Sequence, residues 1–165
     1  MRGSMLKLTG GVISFARMYL HCSSRLTSRS HSKNFHMPYL QLDLPSHHDA
    51  TVKRRLAKRF GEIYSEIMQA NVNRITVAIR ETGEGGVWRC SDGEPSPAAL
   101  LMCDIRRGRP PEQRAKLAEA LIDACVEILG LRVNRLNVEF RQHSGDEMYH
   151  PMLGGLSSDW SKNEG

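Results

Sequence analysis

Val72-Asn73-Arg74-Ile75-Thr76-Val77-Ala78-Ile79-Arg80-Glu81 and Val133-Asn134-Arg135-Leu136-Asn137-Val138-Glu139-Phe140-Arg141-Gln142 are two versions of one segment, 61 residues apart, with five identities in ten positions. Extended without a gap, the same offset sets Leu40 against Leu101, Asp43 against Asp104, Leu56-Ala57 against Leu117-Ala118 and Glu66-Ile67 against Glu127-Ile128. Eleven of 44 aligned positions match, so residues 38–81 and 99–142 are copies of one unit.

Periodicity reads the same way in both copies. Leu40, Leu42 and Leu44 alternate with Tyr39, Gln41 and Asp43, which puts the leucines on one face of a strand. Leu56, Phe60, Ile63, Tyr64, Ile67 and Met68 then recur at spacings of three and four, the stripe of an amphipathic helix. Ile75, Val77 and Ile79 alternate again. In the second copy the first strand is the apolar run Leu100 to Ile105, and the helix carries Leu117, Leu121, Ile122, Cys125, Ile128 and Leu129. Pro110-Pro111-Glu112 suits the first turn of that helix, and Gly130 suits its end. Its second strand holds Leu136, Val138 and Phe140.

Each unit is therefore β-α-β, long enough for a right-handed crossover between parallel strands. Two units about a pseudo-twofold axis predict an α+β domain, a four-stranded sheet with two helices on one face. The other face is expected to be exposed and apolar, and to be covered by self-association. Residues 82–98, rich in Gly, Ser, Pro and charge, form a linker with a short hairpin around Val87-Trp88, and residues 143–165 form a C-terminal segment.

The chain of 165 residues carries a net charge of +5, but residues 1–37 hold six of its 23 basic residues and no acidic one. The remainder has 17 basic against 18 acidic residues, which argues against a nucleic-acid partner, whose binding domain would keep its basic excess in the folded part. The Ser- and Arg-rich, acid-free leader has the composition of an organellar transit peptide. Two other readings stay open: a vector tag beginning Met1-Arg2-Gly3-Ser4, or translated upstream sequence. Residues 38–165 are the size of one compact domain. Lys7 and Arg17 interrupt the only apolar stretch near the N-terminus, so no membrane span is expected. Cys22, Cys90, Cys103 and Cys125 lack C-x-x-C spacing and read as reduced and structural.

Chemistry is carried where the copies differ. Pro38 of the first copy stands against Ala99 of the second, and Pro38 follows Met37. If translation starts at Met37 and that methionine is removed, the chain begins with a secondary amine instead of an amide. An α-amino group titrates near about 7.7–8.0, and burial or nearby cations lower it further, toward a general base at neutral pH. An internal Pro38 would simply open an edge strand. The second difference is Ile105-Arg106-Arg107-Gly108-Arg109, three guanidinium groups in four residues ahead of a helix, against Pro45-Ser46-His47-His48. Such a cluster suits a carboxylate, held bidentate; it also suits a solvated turn. His47 and His48 are adjacent in a turn, and no histidine and carboxylate spacing marks a zinc site, so no metal is expected. Gly83-Glu84-Gly85-Gly86 lacks the strand-to-helix context of a nucleotide loop.

A strand opening Met37-Pro38, a 61-residue duplication whose second copy opens on Ala99, and Ile105-Arg106-Arg107-Gly108-Arg109 followed by Glu112-Gln113 and a helix ending Ile128-Leu129-Gly130 resemble the tautomerase superfamily, the 4-oxalocrotonate tautomerase-like proteins. Within it the chain is similar to the cis-3-chloroacrylic acid dehalogenase-like group of fused double units, from Pro38 to about Leu153. The resemblance implies Pro38 as the catalytic N-terminal proline and Arg106 with Arg109 as the pair holding a substrate carboxylate. Arg107 with Arg109 gives the R-x-R spacing of malonate semialdehyde decarboxylases. The dehalogenases' helix histidine falls near Tyr64, their strand tyrosine near Glu139 and their water-activating glutamate near His150, and these three join Pro38 as candidate catalytic residues. The decarboxylases' aspartate falls near Asn73, which is no base. Residues 149–160 are expected to fold over a neighbour's active site, as C-terminal segments do in this family.

Hydration needs a group that strips a proton from water; His150, titrating near neutrality, is the candidate substitute. Keto-enol proton transfer needs only a base and a cation to steady the enolate, and survives these departures best. The expected activity is cofactor-independent tautomerisation of a small 2-oxo acid by a homotrimer, with no nucleic acid and no membrane as partners. The alternatives are a hydratase, dehalogenase or decarboxylase acting on a three-carbon acid, and a non-catalytic trimeric domain if Pro38 is internal. The expected location is the cytoplasm, or the mitochondrion if the leader is a genuine transit peptide.

Overall fold

The computed structural model describes residues 37–149 and Pro151. Strand β1 is Tyr39–Leu44, helix α1 Ala50–Met68 and strand β2 Thr76–Glu81, with a 3-10 turn at Val72–Arg74. Strands β3 (Trp88–Arg89) and β4 (Ser96–Pro97) form a hairpin within the linker. The second unit follows as β5 (Ala99–Arg106), α2 (Pro111–Leu129), a second 3-10 turn at Val133–Arg135 and β6 (Leu136–His143). The leader and the C-terminal segment from His150, apart from Pro151, lie outside the described residues.

The main sheet runs β2-β1-β5-β6. β1 pairs with β2 in parallel from Tyr39↔Thr76, and β5 with β6 in parallel from Ala99↔Leu136, each with an offset of 37 residues. At the centre β1 and β5 run antiparallel, Tyr39↔Asp104, Leu40↔Cys103, Gln41↔Met102 and onward to Asp43↔Leu100. Shifting every residue by the repeat offset of 61 maps this ladder onto itself, with Gln41 and Met102 exchanging places. The pseudo-twofold axis inferred from the sequence therefore passes between Gln41 and Met102.

Parity decides what each face buries. Leu40, Leu42 and Leu44 on β1 and Leu101, Cys103 and Ile105 on β5 are fully buried beneath the helices. They meet Leu56, Phe60, Tyr64 and Met68 of α1 and Leu117, Leu121 and Cys125 of α2 in one core. Removing a leucine side chain from water contributes about 1.5–3 kcal/mol, so these six strand positions lock which face of each central strand meets the helices. The helices end as their sequences dictate: Pro111 opens α2, and Gly130 closes it in the left-handed region at φ 70°. Gln113 Nε2 donates to the Ile67 carbonyl at 2.6 Å, tying the start of α2 to the end of α1.

The open face differs from the expectation of an apolar surface. Its β1 residues are Tyr39, Gln41 and Asp43, and its β6 residues are Asn137, Glu139, Arg141 and His143; on β5, Leu100 and Met102 stand beside Asp104 and Arg106. Only the apolar run of β5 supports the sequence-based expectation, because its flanking strands are polar on that side. Asp43 is clasped there by Arg80, at 2.6 Å to Nε and 2.9 Å to Nη2. Bonds from Arg80 first, and from Gln41, hold its carboxyl below the usual range against the cost of burial. Among the described residues no helix is long and apolar enough to cross a membrane.

Burial pushes the thiols of Cys103 and Cys125 up to about 12, while Cys90 is exposed. At the far end of β2, Glu81 accepts from Lys53 Nζ at 2.9 Å and from the His48 N–H at 2.7 Å. The Lys53 bond, then the His48 bond, lower its pKa from 4.5 to about 2. A carboxylate depressed on folding stabilises the native state above its unfolded pKa and loses that contribution as pH falls through the folded one. Thermal unfolding of Glu81→Gln between pH 5 and pH 2.5 should therefore show a shallower acid decline than the parent; parallel declines would exclude this clasp as an acid-labile support.

Candidate functional site

The antiparallel centre brings the start of the first unit and the end of the second to one edge of the sheet. Pro38, the starts of β1 and β2, and the ends of β5 and β6 all lie there. Pro38 is buried, and its carbonyl accepts from the Thr76 N–H at 3.0 Å, which fixes it at the head of β1. Arg106 ends β5 only 1% exposed, and Arg109 is 5% exposed beyond the turn. Gly108 makes that turn possible at φ 98°, where a side chain would be strained. Arg107, between them, is exposed, and its N–H extends the β5–β6 ladder to the His143 carbonyl at 2.7 Å.

Tyr64 belongs to the same end. It is fully buried on α1, and burial pushes its phenol far above the ordinary tyrosine range against the pull of the Arg109 charge, so at neutral pH it is a neutral hydroxyl. Cys103, also felt by Tyr64, pairs with Leu40, two residues after Pro38. Pro38, Tyr64, Arg106 and Arg109 are thus gathered at one end of the molecule. Glu139 is not among them: it is exposed on the open face opposite Met102, four residues along β6 from His143, or about 13 Å of strand. His150 lies outside the described residues.

Two features are absent from the sequence reading. Arg74 is 7% exposed at the end of the first 3-10 turn, and β2 begins two residues later beside the head of β1. The signal for it was the Val-Asn-Arg identity between the copies, which marks the turn but not its burial. The second is a cavity of about 300 Å³ lined by Met37, Tyr39, Asp104, His143, Glu147 and Tyr149. His143 Nε2 lies 3.6 Å from Asp104 Oδ1, and its Nδ1 lies 3.8 Å from Glu147 Oε2. Glu147 closes a capping box with Ser144, whose N–H donates to it at 2.8 Å. Hydrogen bonds from Ser144 above all, then the charges of His143 and Arg107, hold the Glu147 carboxyl below its usual range.

This end of the fold therefore offers buried guanidinium groups for an anion, a neutral phenol, and an imidazole between two carboxylates beside Met37. Among the described residues no three His, Cys, Asp or Glu side chains converge as metal ligands. No protein-family model matches the chain, and no curated protein matches it in sequence. Solved structures do match its architecture. A member of the cis-3-chloroacrylic acid dehalogenase family aligns with a TM-score of 0.65 at 17% identity, covering 76% of this chain and 88% of its own. A fused 4-OT, solved as a symmetric trimer, aligns at 0.63 and 24% identity, covering 72% and 94%. Pt0534, solved after inactivation by 2-oxo-3-pentynoate, aligns at 0.62 and 22%, covering 72% and 94%.

The chain has the tautomerase fold. In this tautomerase fold the fused double unit expected from the repeat accounts for the sheet order and the two helices, and it sets Pro38 at the head of the first strand. Glu147, held by Ser144, lines the adjoining cavity of the fold. Removing the Ser144 hydroxyl should raise the Glu147 midpoint toward the ordinary range. Carboxyl-carbon NMR titration of Ser144→Ala checks this, and an unchanged midpoint would assign the depression to the residue-144 N–H, His143 and Arg107 instead.

Proposed function

We propose that the chain, processed to begin at Pro38, catalyses keto-enol tautomerisation of a small 2-oxo acid. The observation that carries this reading is the burial of Pro38 at the end of the fold where Arg106 and Arg109 are also buried, while the second copy places Ala99 at the corresponding position. Met37 lines the adjoining cavity, so its loss opens space at the Pro38 nitrogen and converts an amide into a secondary amine.

In this mechanism Arg106 and Arg109 hold the substrate carboxylate, and their fixed forks orient it bidentately. Pro38 removes a proton from the carbon next to the carbonyl and returns it at the other end of the enolate. The buried cations steady the negative charge that develops on oxygen, and the Tyr64 hydroxyl is a neutral donor at the same end. Arg107 is exposed and guides the anion toward the site. No cofactor enters. The inactivation of Pt0534 by a 2-oxo acid supports this substrate class, and the trimer formed by the fused 4-OT supports homotrimeric assembly. In such a trimer the polar open face becomes an interior lined by charge instead of a greasy seam.

A second reading, hydration or dehalogenation of a three-carbon acid, is favoured by the cavity of His143, Asp104 and Glu147, which supplies groups able to take a proton from water. Halide release from a chloroacrylate distinguishes it, and carbon dioxide release from a 3-oxo acid identifies a decarboxylase. For tautomerisation, ketonisation of an enol pyruvate should fall about 10²- to 10⁴-fold in Pro38→Ala, the range of a lost general base. Arg106→Ala should mainly raise KM. Equal rates in parent and Pro38→Ala, with intact mass confirming a start at residue 38, would refute the assignment.

A further inference from the structure

The repeat builds two ends, and the proposed chemistry uses one. Carried by the offset of 61, Met37-Pro38 becomes Ala98-Ala99, Arg74 becomes Arg135, Asn71 becomes Arg132, and Arg106 falls back onto Pro45. At this second end lies a separate cavity of about 340 Å³, at the lower edge of the range for small-molecule sites. Its apolar wall includes Pro45, Ala98, Ala99 and Leu131, and its polar side chains are Arg132 and Arg135, with no carboxylate in the lining. Relative to the Pro38 end, Pro45 stands for Arg106, His48 for Arg109 and Arg132 for Asn71, while Arg135 keeps the place of Arg74, so two arginines line an apolar pocket from which the proline is gone.

The pocket is braced from both sides. Arg135 Nη1 donates to the Pro97 carbonyl of β4 at 3.0 Å. In return Arg89 of β3 donates to the Asn134 carbonyl and, at 2.6 Å, to Asn137 Oδ1. The hairpin and the Val133–Arg135 turn are therefore clasped together by two arginines, and the Arg135 fork is held in place with donors to spare. Arg132 is exposed at the rim of the same cavity.

We infer that this cavity is a second, non-catalytic binding site for a small monocarboxylate with an apolar body. The guanidinium groups take the carboxylate, and the Ala98, Ala99 and Leu131 wall takes the body. Ala99 offers only a main-chain amide, which has no basicity, so the ligand is bound and released unchanged. The inference does not depend on a free amine at Pro38 or on the activity proposed above.

The test is a titration of the full-length, isotopically labelled chain with sodium benzoate at constant ionic strength, following the amide signals of Ala98, Ala99 and Leu131. Benzoate should give saturable shifts at these amides, and benzyl alcohol, the same ring without the charge, should not. Arg132→Ala, which leaves the Arg135–Pro97 brace intact, should weaken benzoate about tenfold or more, as loss of a charge-assisted contact does. Pro38→Ala should leave these shifts unchanged, which separates this site from the first. Absence of saturable shifts at the three amides, equal affinity in Arg132→Ala, saturation by benzyl alcohol, or loss of the shifts in Pro38→Ala would each overturn the inference. Displacement of benzoate by equimolar inorganic phosphate would overturn the monocarboxylate preference.

Discussion

The antiparallel pairing of β1 with β5 joins the first strands of the two units along a ladder centred on Gln41 and Met102. A single β-α-β unit has one helix and two strands, too little to bury the apolar face of either. Pairing the two units edge to edge sets both helices over one continuous layer of Leu40, Leu42, Leu44, Leu101, Cys103 and Ile105. Because side chains alternate along a strand, a slip of one residue would carry Gln41 or Met102 under the helices and expose a leucine row, so the core fixes the register. Direction follows as well. The start of β1 lies beside the end of β5, and therefore Pro38, Arg106 and Arg109 share one edge although 68 residues separate the first from the second.

The same pairing governs the linker. β2 ends and β5 begins at the opposite edge, so residues 82–98 need not cross the sheet. They fold back as the β3–β4 hairpin beside the turn that carries Arg135. Glu81 collects Lys53, His47 and His48 at that edge, which gives the two histidines of the first copy a structural role where the second copy has its arginine turn.

Local pattern was readable from the sequence wherever a single element decides it. The alternation in β1, the stripe of α1, and the Pro-Pro opening and Gly ending of α2 each depend on residues close in sequence. The repeat added the pairing of units, because two copies of one unit are most simply related by a twofold. The open face was misjudged because Leu100 and Met102 dominate the hydropathy of β5, whereas its character is set by Gln41, Asp43, Glu139 and Arg141 on neighbouring strands. The cavity of Tyr39, Asp104, His143 and Glu147 was unreadable for a related reason: its members come from three strands and a turn, and only the combined registers of β1, β5 and β6 bring them together. The burial of Arg74 depends on where β2 docks, which no local pattern carries.

The two ends of the β1–β5 pair carry opposite consequences of one electrostatic arrangement. In the proposed enzyme, guanidinium groups near Pro38 disfavour its protonated form and so hold more of the amine ready as a base at neutral pH. The cations proposed to bind the substrate carboxylate would thus also tune the base that takes a proton from the carbon beyond the carbonyl. Asp104 and Glu147 act in the other direction, since a carboxylate near an ammonium favours the protonated state. Their effect is moderated by the partners they already have, His143 for Asp104, and Ser144, His143 and Arg107 for Glu147. At the far end only Arg135 keeps its place, matching Arg74, with Arg132 added beside it; Ala99 leaves nothing to tune there, so in the proposed second site the guanidinium groups only bind. In this reading, alanine in place of proline together with a rearranged set of arginines makes one of two pockets related by the repeat a holding site instead of a reacting one, with the same strand pairing beneath both.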